Sequence, residues 1–292
     1  GQLDIHILAG QSNMVGASST TGFDSSTEAL EMRALSISGT DDGSFKFETD
    51  QTGPTINAAL GADDGIGVIK GGMIEPMTHS SANFQGAGPA TSIANVICDR
   101  STVRPIFACM AHGATDLFDG WDHTYTGTGA EYDLMVANVD HVRGLNAANQ
   151  DKTFNWCQGA SSTHTRYAAQ FKAMIDTLRA AWGQFAVVIM EHGGDAASAG
   201  HVNMKAEQQK LATGSGDASE QTRCIYVERP AGAVLEADDV HFTGTTNRTR
   251  GTEAAQAAIA AGFLQLPTGL FANTIVNGTE IVNADTLIGA AA

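Results

Sequence analysis

Short apolar runs alternate with segments of helical periodicity along most of the chain. Each run is too short for a buried helix and ends at a Gly or a polar residue, which is typical of a buried strand. The predicted strands cover residues 5–9, 105–111, 153–157, 185–190 and 224–227. The predicted helices cover residues 89–97, 131–145, 164–182, 201–211 and 246–263. This alternation predicts a three-layer α/β/α fold, in which helices cover both faces of a doubly wound, mostly parallel sheet.

Local signals mark where two of these helices begin. Pro89 follows Gly88 and suits the first position of a helix. The run Ser161-Ser162-Thr163 offers hydroxyl groups that can cap the helix after the third strand. We therefore predict a cap within 161–163.

The segment between the first strand and the first long helix lacks this regular pattern. Residues 17–87 are rich in Gly, Ser, Thr and Asp. Weak signals predict short strands near 44–48 and 66–69 and a helical turn or two over 28–35. A loop-rich insertion of this length often shapes a substrate cleft.

The last 26 positions also differ from the alternating region. Pro267 ends the final helix, and Asn277-Gly278 lies between two apolar runs, which is a typical hairpin signal. We therefore predict a main domain over residues 1–266 and a short β-rich appendage or linker over residues 267–292.

Four candidate site residues lie within three positions of the end of a predicted strand. They are Ser12, Gly113, Gln158 and His192. Ligands of doubly wound sheets bind beyond the carboxyl ends of the strands, so these residues can share one rim. Ser12 follows a strand that ends abruptly at Gly10, and a tight turn at that point exposes a serine hydroxyl for nucleophilic attack.

A base and an orienting acid for such a serine are found near the other end of the chain. Asp238 precedes His241 by three residues, in a loop between the last strand and the last helix. On a tight loop the carboxylate can curl back to the imidazole Nδ1 and leave Nε2 for Ser12. Asp239 is the alternative acid and His192 the alternative base, although His192 is better placed to line or underlie the cleft.

Composition narrows the choice of partners. The formal net charge is −16, from 16 basic and 32 acidic residues, which disfavours nucleic acid and favours a neutral substrate. No apolar run is long enough for a membrane-spanning helix. The four cysteines are widely spaced without a Cys-x-x-Cys pair, so we expect buried thiols and no metal site.

The run Gly10-Gln11-Ser12-Asn13-Met14 resembles the first signature of SGNH-type esterases. The closest resemblance is to the sialate O-acetylesterase-like branch, which includes carbohydrate esterase family six. The Asp-x-x-His run ending at His241 is similar to that family's C-terminal signature, and Gly113 lies in a segment like its Gly-Gly-Thr run. Asn155–Ala160 resembles its Trp-His-Gln-Gly-Glu stretch, but Cys157 and Ala160 replace the His and the Glu.

The resemblance implies an SGNH or flavodoxin-like fold and a cofactor-independent serine esterase that removes acetyl groups from a carbohydrate. The implied triad is Ser12, His241 and Asp238, because the missing Glu leaves Asp238 as the acid. The implied oxyanion donors are Ser12, Gly113 and Gln158. The predicted substrate contacts are Gln11, Asn13 and Trp121.

Two other functions stay open at this point. A catalytically degenerate glycan-binding module of a surface or virion adhesin is compatible with Ala160, the long insertion and the β-like tail. A lipase or thioesterase of the wider SGNH group keeps the chemistry, but no long apolar lid segment is evident. Because polymer-directed esterases usually act outside the cell, we expect an extracellular or virion-associated protein that binds neither membrane nor nucleic acid.

Overall fold

A computed structural model describes the chain over eleven segments. They are residues 3–15, 35–39, 45–46, 66–68, 88–98, 104–111, 115–124, 131–160, 165–264, 274–276 and 280–282. Gly113 and the predicted helical turn at 28–34 lie outside these segments.

Within the described segments, eight strands form the main sheet. They are β1 (Leu3–Gly10), β2 (Leu35–Gly39), β3 (Phe45–Lys46), β4 (Ile66–Val68), β5 (Arg104–Ala111), β6 (Gln150–Cys157), β7 (Ala186–Met190) and β8 (Cys224–Val227). Their order is β3-β2-β5-β1-β6-β7-β8, and β4 pairs with β2. Each strand is parallel to its neighbour along the path β2-β5-β1-β6-β7-β8. Strands β3 and β4 both run antiparallel to β2. The prediction of a mostly parallel sheet is confirmed.

Helices cover both faces of this sheet. They are α1 (Ser12–Val15), α2 (Ala90–Cys98), α3 (Glu131–Leu145), α4 (Tyr167–Trp182), α5 (Ala199–Gln209) and α6 (Gly244–Ala260). One apolar core joins α3, α4 and part of α5 to the sheet, and a second core joins α2 and α6 to it. The three predicted layers follow from these two cores.

Two local predictions need correction. Strand β2 was not predicted, and Leu35, assigned to a helical turn, begins it. Helix α4 begins at Tyr167, where Arg166 occupies the N-cap position without a side-chain capping bond. The N-cap position is therefore not one of the predicted residues 161–163, which lie outside the described segments.

The C-terminal part contains the two strands that the Asn-Gly signal predicted. Strands β9 (Thr274–Val276) and β10 (Glu280–Val282) pair antiparallel. The division into a main domain and an appendage remains a prediction. Within the described segments, no helix has the length and apolar character needed to cross a membrane.

The topology determines where a ligand site can form. Strand β1 lies between β5 and β6, so successive connections leave the sheet centre in opposite directions. Such a switch point opens a crevice beyond the carboxyl end of the central strand. In this chain that end is Gly10, and Ser12 lies two residues further along.

Candidate active site

The turn after β1 holds Ser12 at the sheet edge. Gly10 has a φ of +132°, and a side chain there would overlap the backbone carbonyl of Cys157 on β6. The close approach lets the Gln11 N–H donate to that carbonyl at 2.9 Å. Glycine is therefore required at this position, and Ser12 begins the single turn of α1 directly beyond it.

The loop between β8 and α6 brings His241 to Ser12. The Nε2 atom of His241 lies 2.7 Å from the Ser12 Oγ, although 229 positions separate the two residues. The Ser12 residue is 4% exposed, and the His241 side chain is 21% exposed. The hydroxyl and the imidazole thus meet at the switch point of the sheet.

Asp238 holds the other side of the imidazole. Its Oδ2 lies 2.5 Å from His241 Nδ1, and its Oδ1 accepts the backbone N–H groups of Val240 and His241, each at 2.9 Å. Asp239 has a φ of +56°, which tightens the loop enough for the carboxylate to fold back. Asp238 and not Asp239 is thus the carboxylate that contacts His241.

The same hydrogen bonds determine the charge of Asp238. Partial burial raises the pKa of this carboxyl, but the bonds from the His241 backbone, the His241 ring and the Val240 N–H outweigh that effect and lower the pKa to about 2. The group is therefore ionised at neutral pH. An ionised carboxylate on Nδ1 orients an imidazole whose Nε2 can accept a proton from a serine hydroxyl.

Gln158 follows β6 and is completely buried. Its Nε2 donates to the backbone carbonyl of Thr115 at 3.2 Å, and its Oε1 has no hydrogen-bond partner among the described residues. Its own carbonyl accepts Gln208 Nε2 and the Tyr167 hydroxyl. The main chain of Gln158 is thus fixed from two sides.

The three predicted substrate contacts are corrected by their burial. Gln11 is buried, and its Oε1 accepts the Gly159 N–H at 2.9 Å, which ties the turn after β1 to the turn after β6. Trp121 has no exposed surface and packs edge-on against Trp156 in the core, with its ring N–H donated to Thr115. Neither side chain has a free face for a sugar.

Asn13 is also buried and also differs from its prediction. Its Oδ1 accepts the Phe242 N–H at 2.9 Å, and its Nδ2 donates to the Val240 carbonyl at 3.2 Å. Both ends of the amide therefore contact the loop that carries His241.

His192, the alternative base, lies beneath the rim. Its ring packs on His201 with 4.2 Å between ring centres, and its Nδ1 lies 3.2 Å from Gln208 Oε1. Burial lowers the pKa of His192 to about 3, and the nearby His201 adds to the effect. His192 is therefore neutral, and its role as a packing residue agrees with the sequence interpretation.

Sequence reasoning missed the side chains that hold the loop from behind. The ring of Phe242 lies between two guanidinium groups, 4.3 Å from Arg250 and 5.5 Å from Arg229. Arg250 also donates to the Glu191 carbonyl at 2.6 Å, and Arg229 Nε donates to the Glu191 carboxylate at 2.7 Å. The only available signal was the position of Glu191 directly after β7, beside His192.

Glu191 is the buried charge on which this support depends. Its carboxylate is 2% exposed and contacts Arg229, His201 and Lys205 at 2.7 to 3.2 Å. Burial alone raises its pKa, but the hydrogen bonds from His201 and Arg229 outweigh burial and hold the pKa of Glu191 well below its usual range. The ionised carboxylate therefore stabilises the folded state.

We expect Glu191→Gln to lower the free energy of unfolding by about 2–4 kcal/mol at pH 7, because Arg229 loses its buried counter-charge. The pKa is depressed in the folded state, so the stabilisation is complete above the ordinary Glu pKa of about 4.3 and is lost on acidification. The difference from wild type should shrink accordingly below pH 4 in urea titrations. Glu228→Gln, at a carboxylate that is 64% exposed and also pairs with Lys205, is the matched control and should change stability by less than about 1 kcal/mol. Equal effects of the two substitutions would contradict this account.

A hydroxyl, an imidazole and a carboxylate thus meet at the switch point of a doubly wound α/β sheet, an arrangement typical of serine hydrolases. The chain belongs to the family of carbohydrate esterases described as sialic acid-specific acetylesterases, whose sequence model matches residues 2–260. The protein is therefore an esterase of a family that deacetylates carbohydrates. A search of curated proteins finds no significant match.

Solved structures support the fold assignment. A protein from Arabidopsis thaliana aligns with a TM-score of 0.62 and 18% identity over 88% of this chain and 98% of its own. NanS aligns with a TM-score of 0.64 and 12% identity over 89% and 97%. A carbohydrate acetylesterase from Xanthomonas citri aligns with a TM-score of 0.58 and 14% identity over 90% of this chain and 57% of its own. Within the described segments, no three His, Cys, Asp or Glu side chains are grouped to hold a metal ion.

Proposed function

We propose that this protein is a serine esterase that removes O-acetyl groups from a carbohydrate through an acyl-enzyme on Ser12. The observation that carries the proposal is the position of the His241 ring, 2.7 Å from the Ser12 hydroxyl on one side and 2.5 Å from Asp238 on the other. This geometry activates a serine hydroxyl without a cofactor.

Acylation transfers one proton and exchanges one bond. His241 Nε2 accepts the Oγ proton while Oγ bonds to the acetyl carbonyl carbon, and the π electrons move to the carbonyl oxygen. When the tetrahedral intermediate collapses, the bond to the sugar oxygen breaks and His241 returns its proton to that oxygen. Asp238 stabilises the imidazolium between these two events.

Deacylation repeats the sequence with water. His241 removes a proton from water, the water oxygen attacks the acetyl carbon on Ser12, and acetate leaves as Oγ regains the proton. Each turnover thus converts an acetyl ester and water into acetate and a free sugar hydroxyl.

The oxyanion formed in both steps needs preorganised donors. We assign this role to the backbone N–H groups of Ser12 and Gly113 and to the Gln158 amide. The Gln158 Nε2 carries two hydrogens, of which the Thr115 carbonyl accepts one. The second is the donor that we assign to the oxyanion.

The proposed substrate is an acetylated polysaccharide or an acetylated sialic acid, and the proposed site of action is outside the cell or on a virion. A chain with a net charge of −16 is better suited to neutral sugar esters than to polyanions. The acetylated position on the sugar is open to experiment.

An acetate-release screen tests this proposal. Acetylated xylan, acetylated pectin, O-acetylated sialic acids and a series of chromogenic acyl esters are each incubated with the full chain. We expect acetate from at least one carbohydrate and an acetyl ester preferred over octanoyl by about 10-fold or more. Saturable glycan binding without turnover would instead support a degenerate binding module, and a preference for long acyl chains would support a lipase-like enzyme.

A further inference from the structure

Asn13 forms hydrogen bonds with the backbone on both sides of His241. Its side chain accepts the N–H of Phe242 at 2.9 Å and donates to the carbonyl of Val240 at 3.2 Å. The residue is 1% exposed, so water does not compete for either bond. We propose that Asn13 is a positioning residue that holds the His241 loop, residues 238–242, at proton-transfer distance from Ser12. This inference rests on the proposed function.

The two bonds complete a closed ring of contacts. Ser12 and Asn13 are neighbours in the chain, Asn13 holds the backbone around His241, and the His241 ring returns to Ser12 at 2.7 Å. A displacement of the loop therefore stretches the Asn13 bonds before it separates base from nucleophile. A misplacement of about 1 Å at a reacting group can reduce a rate about 100-fold.

The hydrogen bonds within the loop and to the adjacent Glu236 do not fix the distance between the loop and Ser12. Asp238 accepts the N–H groups of Val240 and His241, and Glu236 N–H donates to the His241 carbonyl at 2.7 Å. These contacts shape the loop, but they move with it. Asn13 connects the shaped loop to the turn that carries Ser12.

Gly193 packs directly against the hydrogen bond between Asn13 and Val240. A side chain at this position would overlap both the Val240 carbonyl and the Asn13 Nδ2. Glycine therefore lets the turn after β7 lie close to this bond without displacing either partner.

Asn149 provides a matched control for Asn13. It is also a buried asparagine, 8% exposed, that joins two distant backbone groups, since its Oδ1 accepts the Leu3 N–H at 2.8 Å and its Nδ2 donates to the Val142 carbonyl at 2.7 Å. It lies beside the start of β1, at the end of the sheet away from Ser12. Alanine at either position removes the same two kinds of bond.

The test compares Asn13→Ala with Asn149→Ala in the full chain, on a chromogenic acetate ester below both unfolding transitions. We expect Asn13→Ala to lower kcat by about 30- to 100-fold with KM changed by less than about threefold. Asn149→Ala should keep the wild-type kcat even if it unfolds at a lower temperature. A change confined to KM would identify Asn13 as a substrate contact and overturn the proposal, as would an equal loss of kcat in both variants.

A double-substitution cycle separates positioning from a general structural effect. If Asn13 acts through His241, Asn13→Ala should change the residual rate of His241→Ala by less than about twofold, because the base it positions is already gone. The same 30- to 100-fold loss in both backgrounds would overturn the proposal. Should Asn13→Ala not fold, Asn13→Asp replaces only the Nδ2 donor, and a wild-type kcat in that variant would also overturn it.

Different results would reject the positioning role of Asn13 and the proposed function. If Ser12→Ala and His241→Ala both retain full activity, the proposed function fails. If both lose activity while Asn13→Ala keeps the wild-type kcat, only the positioning role fails.

Discussion

Replacing Ser12 with alanine is expected to lower kcat for acetate release by about 10⁴- to 10⁶-fold. The substitution removes the only atom that we assign to the covalent bond with the acetyl group. The free energy of unfolding should change by less than about 1 kcal/mol, because one hydroxyl is lost and its partner His241 is partly exposed. Acetate release over long incubations measures the loss of kcat in the variant. Urea titrations of the variant and the wild type measure the change in the free energy of unfolding.

Ser215→Ala is the control for this substitution. The Ser215 hydroxyl lies on the exposed surface after α5, where it donates to the Lys210 carbonyl at 2.7 Å and accepts the Asp217 N–H at 3.3 Å. Its removal should leave kcat within about twofold of wild type. Acetate release by Ser12→Ala within tenfold of wild type would show that another group attacks the ester.

Replacing His241 with alanine is expected to lower kcat by about 10³- to 10⁴-fold, because Ser12 loses the base that accepts its proton. Asp238 stays ionised through the working range, since its hydrogen bonds lower its pKa to about 2, so its charge does not limit the wild-type rate there. Initial rates of both proteins on a chromogenic acetate from pH 4 to 9 measure the loss.

A comparison of Asp238→Asn with Asp239→Asn tests which of the two carboxylates orients His241. Loss of the Asp238 charge should lower kcat, because the imidazolium formed during the reaction loses the carboxylate that stabilises it. Asp239 has the same charge one position away but no hydrogen bond to the ring in the described structure, and asparagine tolerates its positive φ. Equal effects of the two substitutions would contradict the assignment of Asp238 as the orienting acid.

Short-range patterns were sufficient to predict most of the fold. The predicted strand at 105–111 and helix at 131–145 match β5 and α3 closely, because buried runs and helical periodicity are recorded within one element. Strand β2 was missed although its sequence, Leu35–Gly39, alternates apolar and polar residues, because the run is short and lies in a polar insertion. Its place in the sheet depends on pairing with β5, which no local signal specifies.

The candidate site could likewise be predicted only where its signals are local in the sequence. Ser12 and the Asp-x-x-His run were found because each signal lies within a few residues. The contacts of Asn13 with the His241 loop and of Gln11 with Gly159 span 227 and 148 positions. An asparagine or glutamine beside a nucleophile is equally suited to a sugar or to a backbone amide, so only the folded structure distinguishes the two.

Burial explains the remaining error at Trp121. A tryptophan shortly after a strand end can stack on a sugar or fill the core, and both uses require the same residue type. The edge-on contact with Trp156 places it in the core. The partner residue lies on β6, 35 positions further along the chain.

Trapping the acyl-enzyme tests the central claim most directly. The wild-type protein is mixed with a rapidly acylating acetyl ester, quenched in acid within milliseconds, and digested for peptide mass spectrometry, with His241→Ala and Ser12→Ala treated in parallel. We predict one acetyl mass on the wild-type peptide that contains Ser12, with the fragment ions assigning it to that residue, and none on the Ser12→Ala protein. An acetyl group on a different residue of an active wild-type enzyme, or the same labelling of the Ser12 peptide in the absence of His241, would contradict the account.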